Sequence, residues 1–277
     1  MNVPARPPEN LVIYEVRGTW EGEERPGLGP HFLGLWVESG YTFFFFDREA
    51  RPEMECLRQN HPGLELRQVH HLKYSEWQDG AGFQPFTVGP LTIAPAWEAK
   101  PPGRPGEGLL RLDPGLAFGF GGHPTTRACL GFLVRVFRED RPRTVLDLGA
   151  GTGILALAAC RLGAGRVTAV EYSHLGVDTA RKNVRLNGLE DRIEVIRARA
   201  EDHALDPADL VCANLHFSVQ RSLREKGGFL GRRWLILSGL FPDEGEEMAA
   251  ALQGEGARLV DLARDERWTS LLLKWKN

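Results

Sequence analysis

The sequence predicts an α/β fold: a doubly wound, mainly parallel sheet that ends in a C-terminal antiparallel hairpin, with a small α+β domain ahead of it. Three observations carry this expectation. From residue 144 onward, short apolar runs alternate with helical ones, the pattern of a parallel sheet covered on both faces. One strand-to-helix turn, residues 149–153, has glycine at every second position. Ahead of residue 75, strand-like runs rich in aromatic residues stand around a single helical segment.

The first strand of the core reads Thr144-Val145-Leu146-Asp147-Leu148, a nearly continuous apolar run suited to burial on both faces. It leads into Gly149-Ala150-Gly151-Thr152-Gly153. Missing Cβ atoms there let the chain turn sharply and let a ligand approach the backbone. A helix follows, then a second apolar strand ending in Glu171. An acid about twenty residues past such a turn can bind both hydroxyls of a ribose. A dinucleotide site would instead read G-x-G-x-x-G and seat a pyrophosphate on the helix N-terminus. Here the glycines alternate, and Asp147 at the strand end would repel a phosphate. A cationic ligand with a ribose and no phosphate fits better. S-adenosylmethionine, with its sulfonium, ammonium and adenosine, is such a ligand. Asp147, Gly149, Gly151, Gly153 and Glu171 are therefore expected to bind it; the alternative is a glycine-rich turn in an unrelated α/β protein.

Bulk composition narrows the class further. At 277 residues the chain is long enough for one large domain or two smaller ones. It is 42% hydrophobic and 26% charged, as soluble globular proteins are. A formal net charge of −3 gives no global reason to expect nucleic-acid binding. Cys56, Cys129, Cys160 and Cys212 are scattered with no C-x-x-C pair, which favours free thiols in a reducing compartment over disulfides or a zinc site. Residues 1–10 carry no secretory apolar region, and no run reaches spanning length. A cytoplasmic protein without membrane contact is expected.

In the N-terminal part, strands are expected at residues 11–17, 32–38, 41–46 and 64–72. Ser39-Gly40 is a hairpin turn signal, and a helix over 49–59 is stopped by Pro62-Gly63. Residues 18–30 are too rich in Gly, Glu and Pro for a good helix. In the run Phe43-Phe44-Phe45-Phe46, two rings are expected to fill a core and two to cover the opposite face of a small sheet. His70 and His71 are adjacent on a strand and point to opposite faces, poor geometry for one metal ion. These elements sum to a domain of about seventy residues, a size that can fold alone. Residues 74–86 form a short helix or a connector, residues 92–97 a strand, and residues 99–108 a loop.

Residues 109–126 are the second informative stretch. A strand runs into Gly119, Gly121 and Gly122, which allow a lid to lie close over a ligand. Thr125 and Thr126 then offer an N-cap to a helix over 127–137. Beyond Glu171, helices are expected at 177–187, 218–227 and 244–254, and strands at 193–197, 210–213 and 234–238. Residues 258–263 and 268–275 complete a terminal antiparallel pair.

The glycine turn with Asp147 and Glu171 resembles the cofactor motifs of the class I methyltransferases. The stretch Phe118-Gly119-Phe120-Gly121-Gly122-His123-Pro124-Thr125-Thr126, with its Asp113-to-Phe118 lead-in and Asn214-Leu215 at the fourth strand, resembles one bacterial family in particular, the ribosomal protein L11 methyltransferases. The likeness is good from about residue 92 onward; over the N-terminal part only the strand order matches the family's small ferredoxin-like, substrate-binding domain. It implies a substrate-recognition domain over 1–74, a linker over 75–105 and a Rossmann-like methyltransferase domain over 106–277. It also implies cofactor contacts at Thr126, Gly149, Glu171 and Asn214, joined by Phe118, Gly119 and Thr125 of the loop. In this fold the acidic turn Glu201-Asp202 lies beside the adenine, so either carboxylate or a backbone amide could bind it; a solvated turn is the other reading. Phe120 stands where the family has threonine, which removes one polar contact.

The implied reaction is methylation of lysine or α-amino groups of a ribosomal protein, free or on the ribosome. Asn214, at a strand's C-terminal end, would place an amide oxygen near the acceptor amine and the methyl group. His123 and His216 are candidate bases, and a loop-ordering residue is the other reading of His123. No metal is indicated. Two other readings stand beside this one: a lysine methyltransferase for another protein, and a non-catalytic paralogue that binds the cofactor.

Overall fold

A computed structural model describes residues 7–22, 26–77, 83–99 and 108–275. They fall into two compact units, the smaller holding the described residues before Phe83 together with Ser173–Leu175, the larger holding the rest.

The smaller unit is a four-stranded antiparallel sheet in the order β2-β3-β1-β4 with one long and one short helix before Phe83 among its described residues. Its elements are β1 (Asn10–Arg17), β2 (Phe32–Glu38), β3 (Tyr41–Phe46), α1 (Arg51–Asn60) and β4 (Glu65–Lys73). That order is the ferredoxin-like one, and among the described residues of the segment joining β1 to β2 no helix forms. Trp20, in this segment, packs its ring on Phe44 and His61. Ser39 and Gly40 both have positive φ (50° and 82°), the conformation a tight hairpin turn needs. The phenylalanine run divides by alternation: Phe44 and Phe46 are fully buried in the core with α1's Met54 and Leu57. Phe43 and Phe45 turn to the other face, where they meet Trp36 and Trp77, the latter on the short α2 (Tyr74–Trp77). His70 pairs with Glu15 at 2.8 Å and His71 with Glu49 at 3.4 Å, so the two rings serve separate partners.

The larger unit holds a seven-stranded sheet in the order β10-β9-β8-β11-β12-β14-β13. Its strands are β8 (Thr144–Leu148), β9 (Arg166–Glu171), β10 (Ile193–Arg197), β11 (Leu210–Asn214), β12 (Trp234–Leu240), β13 (Ala257–Arg264) and β14 (Thr269–Trp275). The first five are parallel, and β14 enters antiparallel between β12 and β13. The helices are α3 (Pro124–Glu139), α4 (Ile154–Leu162), α5 (His174–Leu186), α6 (Phe217–Glu225) and α7 (Pro242–Gly254). Apolar clusters fill both faces of the sheet, one under α3 and α4, the other under α6 and α7. Strand order reverses between β8 and β11, and in open α/β sheets a crevice forms at the carboxyl ends of the strands there.

The strands expected at 92–97 and from residue 109 are present as β6 (Leu91–Pro95) and β7 (Leu109–Leu112), and with β5 (Phe86–Val88), which was not expected, they form a separate three-stranded sheet in the larger unit. The expected loop at 99–108 lies almost wholly outside the described residues. A second difference concerns α3. The helix begins at Pro124, not at residue 127, and His123 is its N-cap instead of Thr125 or Thr126. Proline suits the first helical position because its missing N–H would be unpaired there anyway, and the imidazole Nδ1 accepts from the Thr125 N–H at 3.3 Å. Both threonines consequently sit inside the first turn, buried. Among the described residues no helix is long and apolar enough to cross a membrane.

Candidate active site

The turn after β8 is held in the left-handed region at Gly149, Gly151 and Gly153 (φ 76°, 54° and 80°). Side chains are excluded for a second reason. A Cβ on Gly149 would stand 2.2 Å from Leu215 Cδ2, and one on Gly151 would stand 2.5 Å from the Phe118 carbonyl oxygen. The glycine loop before α3 therefore lies directly on this turn. Thr152, fully buried, bolts the two together: its N–H donates to Phe118 O (3.0 Å) and its hydroxyl to Gly119 O (2.7 Å).

Asn183 on α5 fixes the way into the loop. Its side chain accepts from the Asp113 N–H and donates to the carbonyls of Asp113 and Thr152, all at 2.8–2.9 Å. Asp113 itself is paired with Lys182 Nζ at 2.5 Å. Thr152, Asn183 and Lys182 were not singled out from sequence. The one available signal was an asparagine pair at i, i+4, Asn183 and Asn187; Asn187 clips the backbone of Arg111 in the same way. Phe120 extends the anchoring outward. Its ring packs on Phe83, with centroids 5.5 Å apart, and Gly121 abuts the Phe86 ring. The aromatic residue thus pins the loop to the β5 segment where a threonine would have offered a hydroxyl.

At the end of β9, the Glu171 carboxylate accepts from the Gly151 N–H at 2.9 Å, so the acid is locked against the glycine turn. Tyr172 next to it is exposed, with the Arg199 guanidinium 6.0 Å from its ring centre. Glu201 stands in a 3-10 turn (Ala200–Asp202) after β10 and pairs with Arg199 at 3.5 Å.

At the end of β11, Asn214 Nδ2 donates to Thr125 Oγ1 (3.2 Å), and that hydroxyl lies 2.7 Å from His123 Nδ1. The threonine hydroxyl bonds the histidine, which already caps the helix through the same nitrogen. This chain sets the side-chain orientation of Asn214 and turns its amide oxygen toward Gly239, whose missing Cβ would stand 3.1 Å from it. An aromatic row begins here: His123 meets Phe118 and Trp268 edge-on at 5.2 Å each, and Trp268 stacks on Phe241 at 5.1 Å. Phe118 and Phe241 are 56% and 47% exposed, unusual for rings of this size and evidence of an apolar surface leading to Asn214. His216, at the start of α6, is exposed and makes no side-chain cap.

Two buried atoms near the switch point have no partner among the described residues, Asp147 Oδ1 and Thr126 Oγ1. Leaving such groups unpaired costs about 1–3 kcal/mol each, so a polar or cationic group is expected to be supplied to them. Asp147 Oδ2 is taken by the Ala156 N–H at 3.1 Å. Burial is the main reason that the Asp147 carboxyl is raised to about 7. Glu171 nearby adds to the rise and the Ala156 hydrogen bond opposes it. The neighbouring thiols Cys129 and Cys212 are themselves pushed up by burial. They stay neutral in that range. An unfolded aspartate titrates near about 3.9. Between about pH 4 and 7 the folded protein therefore keeps a proton that the unfolded chain has released, and stability falls as pH rises through this window. Thermal melts from pH 5 to 8 are expected to show that decline in the wild type and a flatter profile in Asp147→Asn, which has no charge to bury. Parallel profiles would remove Asp147 as the source.

A doubly wound sheet in this strand order, a trio of alternating glycines, an acid locked at the second strand and buried oxygens without a partner among the described residues together define a class I, S-adenosylmethionine-dependent methyltransferase. Within that class the chain belongs to the ribosomal protein L11 methyltransferase (PrmA) family, whose pattern it matches over residues 43–276. It is 35% identical over 249 residues to the ribosomal protein L11 methyltransferase of Pelobacter propionicus, covering 82% of this chain and 78% of that protein. It is 32% identical over 293 residues to that of Desulfitobacterium hafniense, covering 99% and 89%. Among solved structures it resembles a ribosomal protein L11 methylase from Lactobacillus delbrueckii subsp. bulgaricus. That match has a TM-score of 0.61 at 31% identity and covers 70% of this chain and all of the other. The protein is thus an enzyme that transfers methyl groups. Among the described residues no group of His, Cys, Asp and Glu could hold a metal ion.

Proposed function

We propose that this enzyme methylates amino groups, of lysine or of an α-amine, on ribosomal protein L11, and that it does so in the cytoplasm. The observation that carries the reading is Asn214: a side-chain amide at the switch point, oriented from behind by Thr125 and opening onto an exposed aromatic row. S-adenosylmethionine, when bound, supplies a methyl group already activated on a sulfonium. The residues of this chain position the partners. Glu171 takes the ribose hydroxyls, and Tyr172 offers a flat face to the base. Glu201 lies on the adenine side. Asp147 and Thr126 complete their hydrogen bonding on the amino-acid end. Gly149, Gly151 and Gly153 give the backbone room, and Phe118 and Gly119 close the loop over it. Asn214 Oδ1 accepts a hydrogen from the neutral amine and aims its lone pair in line, a near-attack geometry.

We assign His123 to ordering the loop and Asn214, not to proton removal, because its Nδ1 is occupied by both Thr125 groups. The rings of Phe118, Trp268 and Phe241 receive the alkyl part of the acceptor, and their faces favour a cation, so methylated and unmethylated amines alike are attracted. Trp268→Ala is expected to raise KM for the acceptor about tenfold while cofactor affinity stays within twofold, measured by steady-state kinetics and calorimetry. Substrate recognition beyond the amine belongs to the small N-terminal unit, which holds the domain proposed over residues 1–74.

The direct test is incubation with radiolabelled S-adenosylmethionine and total bacterial protein, with and without ribosomes. Label on one small ribosomal protein is expected. Label on a different protein would keep the chemistry and replace the substrate. Cofactor binding without any transfer would favour a non-catalytic paralogue.

A further inference from the structure

Gln220 lies on α6, wholly buried, and has no place in the cofactor or acceptor sites outlined above. Its side-chain amide donates to two main-chain carbonyls, Leu215 O at 2.6 Å and Ser238 O at 2.7 Å. The same Ser238 carbonyl accepts from the Leu215 N–H at 3.2 Å. One amide group therefore ties the peptide that follows Asn214 to the neighbouring strand, where Asn214 pairs with Ser238 in register. On the other side Gly239 limits the same turn: a Cβ there would stand 2.7 Å from Leu215 O and 3.1 Å from Asn214 Oδ1. The Asn214–Leu215 turn is clamped between a glutamine and a glycine, and both of its oxygens face the side where Gly239 has no side chain.

The arrangement is costly for mere packing. Gln220 Oε1 is buried with no partner among the described residues, so an apolar side chain of the same length would avoid a desolvation penalty that the glutamine accepts. We infer that Gln220 is a positioning residue for methyl transfer: its amide fixes the Asn214–Leu215 turn so that the Asn214 amide oxygen stands where the acceptor amine must be met. This rests on the amine-methylation reading above. A misplacement of about 1 Å at a reacting group can cost about 10²-fold in rate, and losing two hydrogen bonds at the root of the turn permits a shift of that size.

The test pairs Gln220→Met, which keeps length and burial but cannot donate, with Asn214→Ala and the double variant. Single-turnover rates on ribosomal protein L11 are measured at saturating cofactor, with calorimetry on S-adenosylhomocysteine and thermal melts alongside. Gln220→Met is expected to slow transfer about 10- to 100-fold with cofactor affinity within twofold. The double variant should be no slower than Asn214→Ala, because a positioning residue has nothing left to position. Losses that multiply in the double variant, or a Gln220→Met rate within twofold of wild type, would overturn the inference. Should the wild type transfer no methyl group to any protein, the function assigned above fails separately. The crystal structure of Gln220→Met then decides: a turn displaced by about 1 Å supports the clamp, and an unmoved turn overturns it.

Discussion

Replacing Asn214 with alanine is expected to lower the rate of methyl transfer about 10²- to 10³-fold while leaving cofactor affinity within a few-fold. As the amine attacks, its nitrogen gains positive charge, so an acceptor oxygen holding its hydrogen is worth more in the transition state than before it. Interactions of that kind appear in kcat, not in KM. A hydrogen bond to a charged group contributes about 1.5–3 kcal/mol, and loss of orientation adds to it, which together reach that range. Asn214→Asp separates the two parts. Its carboxylate still accepts from the amine, but the donation from Nδ2 to Thr125 Oγ1 is gone, and the threonine hydroxyl must rotate away from His123 to compensate. An intermediate loss of about tenfold is expected there, read by single-turnover transfer at saturating cofactor. If alanine left the rate intact and weakened only cofactor binding, Asn214 would belong to the cofactor pocket, and another group would have to meet the acceptor amine.

The parts of this site that sequence could reveal are those where one residue type satisfies a constraint by itself. Gly149, Gly151 and Gly153 are legible because positive φ and close approach both demand glycine, and Glu171 is legible from its distance to them. The parallel strands and the final hairpin were readable from apolar runs, and Phe44 and Phe46 from alternation alone. What stayed hidden depends on pairs that are far apart in the chain. Thr152 and Asn183 hold the glycine loop in place only because they reach main-chain groups 31 to 70 positions away. The cap on α3 was misplaced because serine-like residues were sought, while a histidine followed by proline does the same work. Of the sheet of β5, β6 and β7, the strands β6 and β7 were legible, but β5, at 3 residues, carries too little periodicity to be read, and the pairing of the three depends on partners distant in the chain. Phe120 was read as the loss of a polar contact; its packing on Phe83 shows that the position has exchanged a hydroxyl for an apolar anchor.

Glu171→Ala is expected to weaken cofactor binding about 10²- to 10³-fold and to leave the saturated rate within a few-fold of wild type, the reverse of Asn214→Ala. The carboxylate is already held at 2.9 Å by the Gly151 N–H, so little freedom is lost when a ligand arrives and most of each hydrogen bond reaches the binding free energy. Two charge-assisted bonds to ribose hydroxyls at about 1.5–3 kcal/mol each account for a loss of that order. These bonds are present equally before and during transfer, which is why KM and not kcat should respond. Calorimetry with two ligands makes the assignment specific. S-adenosylmethionine and S-adenosylhomocysteine share the ribose but differ by the sulfonium charge. If Glu171 acts on the ribose, alanine costs both ligands the same factor. A loss confined to the charged ligand would mean that Glu171 acts with Asp147 as a long-range attraction for the cation, and the hydroxyl contacts would have to be sought elsewhere on the turn.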